Sequence, residues 1–183
     1  MRDRLTVLLM LALAAAGCSG EPADSASGVA ATPVAAAPAT SRPTACNLLT
    51  PSEIGAIIGA DVLAPEPNGF ECAFRRKDAN GLMIRAVRVR LEEGARTATP
   101  YDLYEQYTTA IGAALGSEYQ LQPVAGLGTV AGWDGDAVLT AERTGDRNFL
   151  LVVQLDGTRP DVELDQAESL AQTALARLRE LAP

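Results

Sequence analysis

Five consecutive residues, Phe149-Leu150-Leu151-Val152-Val153, restrict this chain more than any other feature. A strand sends alternate side chains to opposite faces, so a run apolar at both parities needs cover on both sides. The segment Asn148 to Leu155 is therefore expected as a central strand with packing elements above and below it. Its neighbours are joined by tight turns. Asn80-Gly81, inside Asp78-Ala79-Asn80-Gly81, predicts a hairpin between Gly69–Arg76 and Leu82–Leu91. Asp134-Gly135 joins Thr129–Trp133 to Ala137–Arg143, and Thr144-Gly145-Asp146 leads into the central strand. Hairpin joints imply a largely antiparallel sheet of about five or six strands.

Three helices should cover it. Thr50-Pro51-Ser52-Glu53 has the form of a capping box with Pro at the first helical position, and Leu49 and Ile54 can staple the entry. Ile54, Ile57 and Ile58 then share a face, and Gly59 ends the helix. The same grammar at Thr99-Pro100-Tyr101-Asp102 opens a second helix, which Gly116 stops. Its stripe of Leu103, Tyr104, Tyr107, Ile111, Ala114 and Leu115 is expected to be buried. The repeated Thr-Pro start hints at duplicated halves. A third helix is expected from near Leu164, with Leu164, Ala167, Ala171, Ala174, Leu178 and Leu181 in register and Leu170 and Leu175 widening the stripe. The order helix, hairpin, helix, meander, helix reads as one α+β domain, an α/β sandwich over residues 46–183.

The chain ahead of that domain reads as an address and a tether. Arg2 and Arg4 precede the run Leu5 to Ala16, apolar but for Thr6, whose dozen residues fall short of the ~20 a membrane span needs. Ala15-Ala16-Gly17-Cys18 resembles the end of a bacterial lipoprotein signal, which implies a signal peptide over residues 1–17 and a lipid on Cys18. Ser19, where an Asp retains many lipoproteins at the inner membrane, implies the outer membrane in a didermic cell and otherwise the outer face of the plasma membrane. Loss of Arg2, Asp3 and Arg4 takes the net charge from −8 to −9, so attachment would rest on acyl chains and not on anionic headgroups. Residues 18–45 are mostly Ala, Pro, Ser, Thr and Gly without apolar period, and are expected to form a disordered tether.

Of three cysteines, Cys46 and Cys72 remain after Cys18 is assigned to lipid, and an even remainder in an exported chain predicts a disulfide. Histidine is absent from all 183 residues, which removes Ser-His and Cys-His nucleophile pairs and His-based zinc sites. Two thiolates alone make half a zinc site. An acidic chain with 4% aromatic residues also lacks the footprint of nucleic-acid binding. No catalytic residue, metal or cofactor is expected.

Other motifs weaken on inspection. Gly126-Leu127-Gly128-Thr129-Val130-Ala131 has the letters of a dinucleotide fingerprint, but Gly132-Trp133-Asp134-Gly135 follows where a helix must start, so it reads as a turn entering a strand. Asp134, Asp136 and Glu142 would matter as acid and base, in a carboxylate-dependent hydrolase, only if they converged in one cleft. Tyr104 and Tyr107 read as core, and an opening near Trp133, the single tryptophan, is the first place to seek a pocket. Arg88 and Arg90 share a strand face opposite Val87, Val89 and Leu91, beyond Arg75, Arg76, Lys77 and Arg85. They are the candidate contact for an anion or an acidic partner.

Cys46-Asn47-Leu48-Leu49-Thr50, Glu53-Ile54, Gly59, Cys72-Ala73-Phe74 and Val124-Ala125-Gly126-Leu127-Gly128 with Ala131 and Trp133 together resemble a family. It is the small uncharacterised bacterial envelope lipoproteins, of actinobacterial type, with a Cys-Leu-Leu-Thr start, a paired second cysteine and sensor-domain-like relatives. The resemblance implies an antiparallel α/β sandwich and brings no catalytic residues with it. The expected function is that of a membrane-anchored envelope lipoprotein that binds a protein partner or small ligand. A carrier of an apolar or lipid ligand, in a cavity between helix and sheet, is the alternative.

Overall fold

A computed structural model describes residues 42–116, 119–156 and 160–182. The signal peptide expected at 1–17, the lipid-bearing Cys18 and the tether up to residue 41 lie outside them. A short 3-10 turn, Ala45–Asn47, precedes α1 (Pro51–Ile58), β1 (Glu66–Asn68), β2 (Glu71–Lys77) and β3 (Met83–Glu93). Then come α2 (Pro100–Leu115), β4 (Gln122–Pro123), β5 (Val130–Trp133), β6 (Ala137–Thr144), β7 (Arg147–Leu155) and α3 (Pro160–Leu181). The fold is α+β, and the seven strands form one antiparallel sheet in the order β1-β2-β3-β7-β6-β5-β4.

Seven strands exceed the five or six expected. The additional strands are the outermost, β1 with three residues and β4 with two, and each holds a proline, Pro67 and Pro123. Short, proline-bearing edges withhold backbone donors from further pairing and are too brief to show a period of two.

β7 takes the central place, and the reason is its two-faced apolar run. Phe149, Leu151, Val153 and Leu155 join one core, with Val87 and Val89 of β3 and with Leu170, Ala171, Ala174 and Leu178 of α3. Leu150 and Val152 join a second, smaller core on the opposite face, with Leu139 of β6 and the half-buried Tyr104 and Tyr107 of α2. The cores are unequal because the helices seat differently. On α3, Ala167, Leu170, Ala171, Ala174, Leu175 and Leu178 are all buried. On α2 only Pro100 is buried, so the stripe expected to be buried is not: Leu103, Tyr104, Tyr107 and Ile111 are half-buried, and Ala114 and Leu115 are exposed.

Both capping boxes form as read. The Thr50 Oγ1 accepts from the Glu53 backbone N–H at 3.3 Å while the Glu53 carboxylate accepts from the Thr50 N–H at 2.8 Å. Thr99 and Asp102 repeat this at 3.2 and 2.7 Å. Yet α1 packs with α3 and α2 lies on the other face, so the shared start reflects shared cap chemistry and not duplicated halves. α3 begins at Pro160, four residues before the expected Leu164, with proline again at a first helical position.

Cys46 and Cys72 form a disulfide, with Cα atoms 5.0 Å apart. It ties the 3-10 turn to β2, beside the buried Leu48 and Leu49. The domain takes in residues ahead of Cys46. Pro43 and Ala45 are buried and Arg42 pairs with Glu93 at 2.9 Å, so the last residues of the expected tether belong to the domain. The described residues from Arg42 on hold the whole sheet, the disulfide and both cores in one compact unit, the anatomy of a domain.

Candidate binding face

α2 packs chiefly on β5, β6 and β7 of its face and reaches β3 only around Arg90 and Glu92, which leaves the same side of β2 and the Arg88 stretch of β3 without a helix packed on it. Alternation decides what is exposed there. Val87, Val89 and Leu91 point into the α3-side core, so Arg88, Arg90 and Glu92 point to the open side. Register sets their neighbours: Arg90 lies opposite Glu71, Arg88 opposite Ala73, and Arg75 opposite Arg85 across an irregularity at Phe74/Arg75. On its other side Arg88 faces Gln154 of β7.

Two arginines directly opposite each other repel, and the fold offsets this with local acids. Arg75 pairs with Glu66 at 2.9 Å and Arg85 with Asp156 at 2.5 Å. Arg90 is held twice, by Glu92 beside it and by Glu71 at 3.5 Å, and its guanidinium lies 5.5 Å from the centroid of the Tyr107 ring. Arg88 differs. Among the described residues no carboxylate pairs with it, and its Nε, shielded from solvent, has no hydrogen-bond partner. Structure therefore separates two residues that the sequence treats as equals: Arg90 is engaged and Arg88 is free.

Two concavities border this strand at successive positions. One, of about 550 Å³, is bounded by Glu66, Asn68, Glu71, Ala73, Arg75, Arg85 and Arg88. The other, of about 410 Å³, lies between α2 and the sheet, lined by Leu103, Tyr107, Ala110, Ile111, Ala114 and Leu150 with Arg90, Glu92 and Gln106 at its polar side. Burial raises the Tyr107 phenol above its ordinary range, partly countered by Arg90, and burial likewise raises Tyr104. Both phenols stay neutral at physiological pH. The apolar, exposed stretch of α2 is the signal that sequence reasoning missed: a period shows which face is apolar, not whether it closes.

The other candidates are brought to ordinary positions. Trp133 is buried in the α3-side core, and the pocket opens elsewhere, beside Tyr107. Gly126 and Gly128 adopt φ of 79° and 62° in a turn that enters β5, as the strand reading requires. Asp134 closes the β5–β6 turn, its Oδ1 accepting from the Asp136 and Ala137 N–H groups at 2.9 and 2.7 Å. Glu142 sits at the far end of β6, paired with Arg179 at 3.3 Å, so the three carboxylates do not converge. Among the described residues no cluster of three or more metal-binding side chains occurs, and no helix is long and apolar enough to cross a membrane.

No family model, curated protein or solved structure matches the chain.

Proposed function

We propose that this is a lipid-anchored envelope protein of the small bacterial lipoprotein type, whose domain is a binding module without catalysis. In this reading residues 1–17 direct export, Cys18 carries the acyl chains, and the cell-envelope membrane holds the domain through a tether. The binding face is the uncovered side of β2 and β3, and its ligand or protein partner carries an anionic group received by Arg88. One observation carries this: of the arginines on that face, Arg75, Arg85 and Arg90 are each paired with a carboxylate and, among the described residues, Arg88 is not. A guanidinium presents planar, paired donors suited to a carboxylate or phosphate. The second reading, a carrier of an apolar ligand, is favoured by the 410 Å³ cleft under α2.

Labelled fatty acid fed to cells tests the anchor: it should enter the wild-type protein and not Cys18→Ala. An unlabelled wild type removes the lipoprotein assignment. Titration with small carboxylates and phosphates tests the face. Binding should weaken as salt rises and disappear in Arg88→Gln with the fold intact. Binding that survives in Arg88→Gln refutes the assignment.

A further inference from the structure

We infer that the ligand of this face is a single-chain anionic amphiphile, a fatty carboxylate, with its head on Arg88 and its tail in the cleft beneath α2. The inference rests on the reading of Arg88 as an anion receptor and adds the apolar half. Arg88 and Arg90 are two residues apart on one face of β3, a separation of about 7 Å along the strand. Arg88 borders the polar concavity and Arg90 borders the cleft, so the two spaces are reached from successive same-face positions of β3. Their lining differs in the way the two ends of an amphiphile differ. Around Arg88 the surface is charged; under α2 it is Leu103, Ile111, Ala110, Ala114 and Leu150.

Charge favours this occupant over a neutral one. Glu71 borders the polar side and Glu92 the cleft, and both are engaged by Arg90, so neither opposes an incoming carboxylate as a free anion. Arg90, laid over Tyr107, forms the rim past which the chain would bend. A volume of about 410 Å³ lies within the range of small-ligand sites, about 300–1,000 Å³. The half-exposed stripe of α2 gains cover that the fold does not give it, which is where the apolar half of the binding energy would come from.

Three probes separate the contributions in calorimetric titrations of the full-length protein: dodecanoate, dodecanol and acetate. Dodecanoate should bind about tenfold or more tighter than dodecanol, through the charge-assisted bond to Arg88. It should bind about a hundredfold or more tighter than acetate, through its buried methylenes. Arg88→Gln should reduce dodecanoate to the dodecanol level, and Ala110→Phe, which fills the cleft, should reduce it towards acetate. Dodecanoate binding no tighter than acetate, with both dependent on Arg88, overturns the amphiphile and leaves the anion reading standing. Dodecanoate and dodecanol binding alike and indifferent to Arg88→Gln overturns both. So does dodecanoate that fails to bind at all.

Discussion

One sheet carries two helices of opposite character, and the contrast locates function. α3 presents Ala167, Ala171 and Ala174 between Leu170, Leu175 and Leu178, all buried. Small residues allow a helix backbone to come close to a sheet, and the buried leucines pack beside them in the same core. α2 presents Tyr104 and Tyr107 instead. The Tyr104 hydroxyl lies 2.2 Å from where a Cβ on Gly132 would be, so the side chain reaches from the helix to β5. Long props hold a helix off a sheet, and the space beside them becomes a cleft lined by Ile111, Ala110 and Ala114. Residue size at a contact, and not hydrophobicity alone, decides whether an apolar face becomes core or site.

The contrast is breakable. Leu170→Ala on the closed side should cost about 4 kcal/mol, the price of a cavity in a rigid site. Ile111→Ala on the open side should cost less than about 1 kcal/mol, because Ile111 is already half-exposed. Urea unfolding measures both, and equal losses would show that the two faces are equally packed. Replacing both Cys46 and Cys72 with Ala should cost ~3.5 kcal/mol in the chain-entropy account, read as a lower denaturation midpoint with no change of face preference.

Gly132→Ala sharpens the point about props. Its Cβ would collide with the Tyr104 hydroxyl, so a loss of about 2 kcal/mol is expected, with Tyr104→Phe recovering part of it in the double variant. Strict additivity would mean that Tyr104 does not bear on Gly132.

Another small effect concerns acid. Glu53 on α1 is held down to a pKa of about 2 from an ordinary 4.5, chiefly by its hydrogen bonds from Arg177 of α3 and then by those from Thr50. Glu93 is lowered to about 2 by Arg147 first and then Arg42. A carboxylate lowered on folding stabilises the fold above its unfolded value near 4.5, and this is lost as pH falls through about 2. Glu53→Gln should flatten the stability profile in that window and cost about 1 kcal/mol at neutral pH after solvent screening. A profile unchanged by the substitution would show that the α1–α3 pair contributes nothing.

What was legible in the chain follows the range of the interactions. The place of β7, the hairpin at Asn80-Gly81 and both capping boxes depend on residues within a few positions of each other, and the fold repeats them. The disulfide was legible by counting. β1 and β4 were not, because three and two residues cannot display alternation. The start of α3 was read late because Pro160-Asp161-Val162-Glu163 precedes the apolar period that announced the helix. Alternation put Arg88 and Arg90 on one face, but only register brings Glu71 opposite Arg90 and leaves Arg88 free. The cleft is further removed still, since it depends on how far a helix stands from a sheet.

The disulfide has a mechanical meaning as well. Chain N-terminal to Arg42 can pull on the domain only through Arg42 to Cys46, and Cys46 is bonded to Cys72 within β2. Tension applied there enters the sheet covalently at a strand flanked on both sides, by β1 and β3. The load does not have to peel the 3-10 turn from the core first. It passes into the two hydrogen-bonded ladders that β2 forms with β1 and β3. Without the disulfide, the same pull would bear first on the short turn alone.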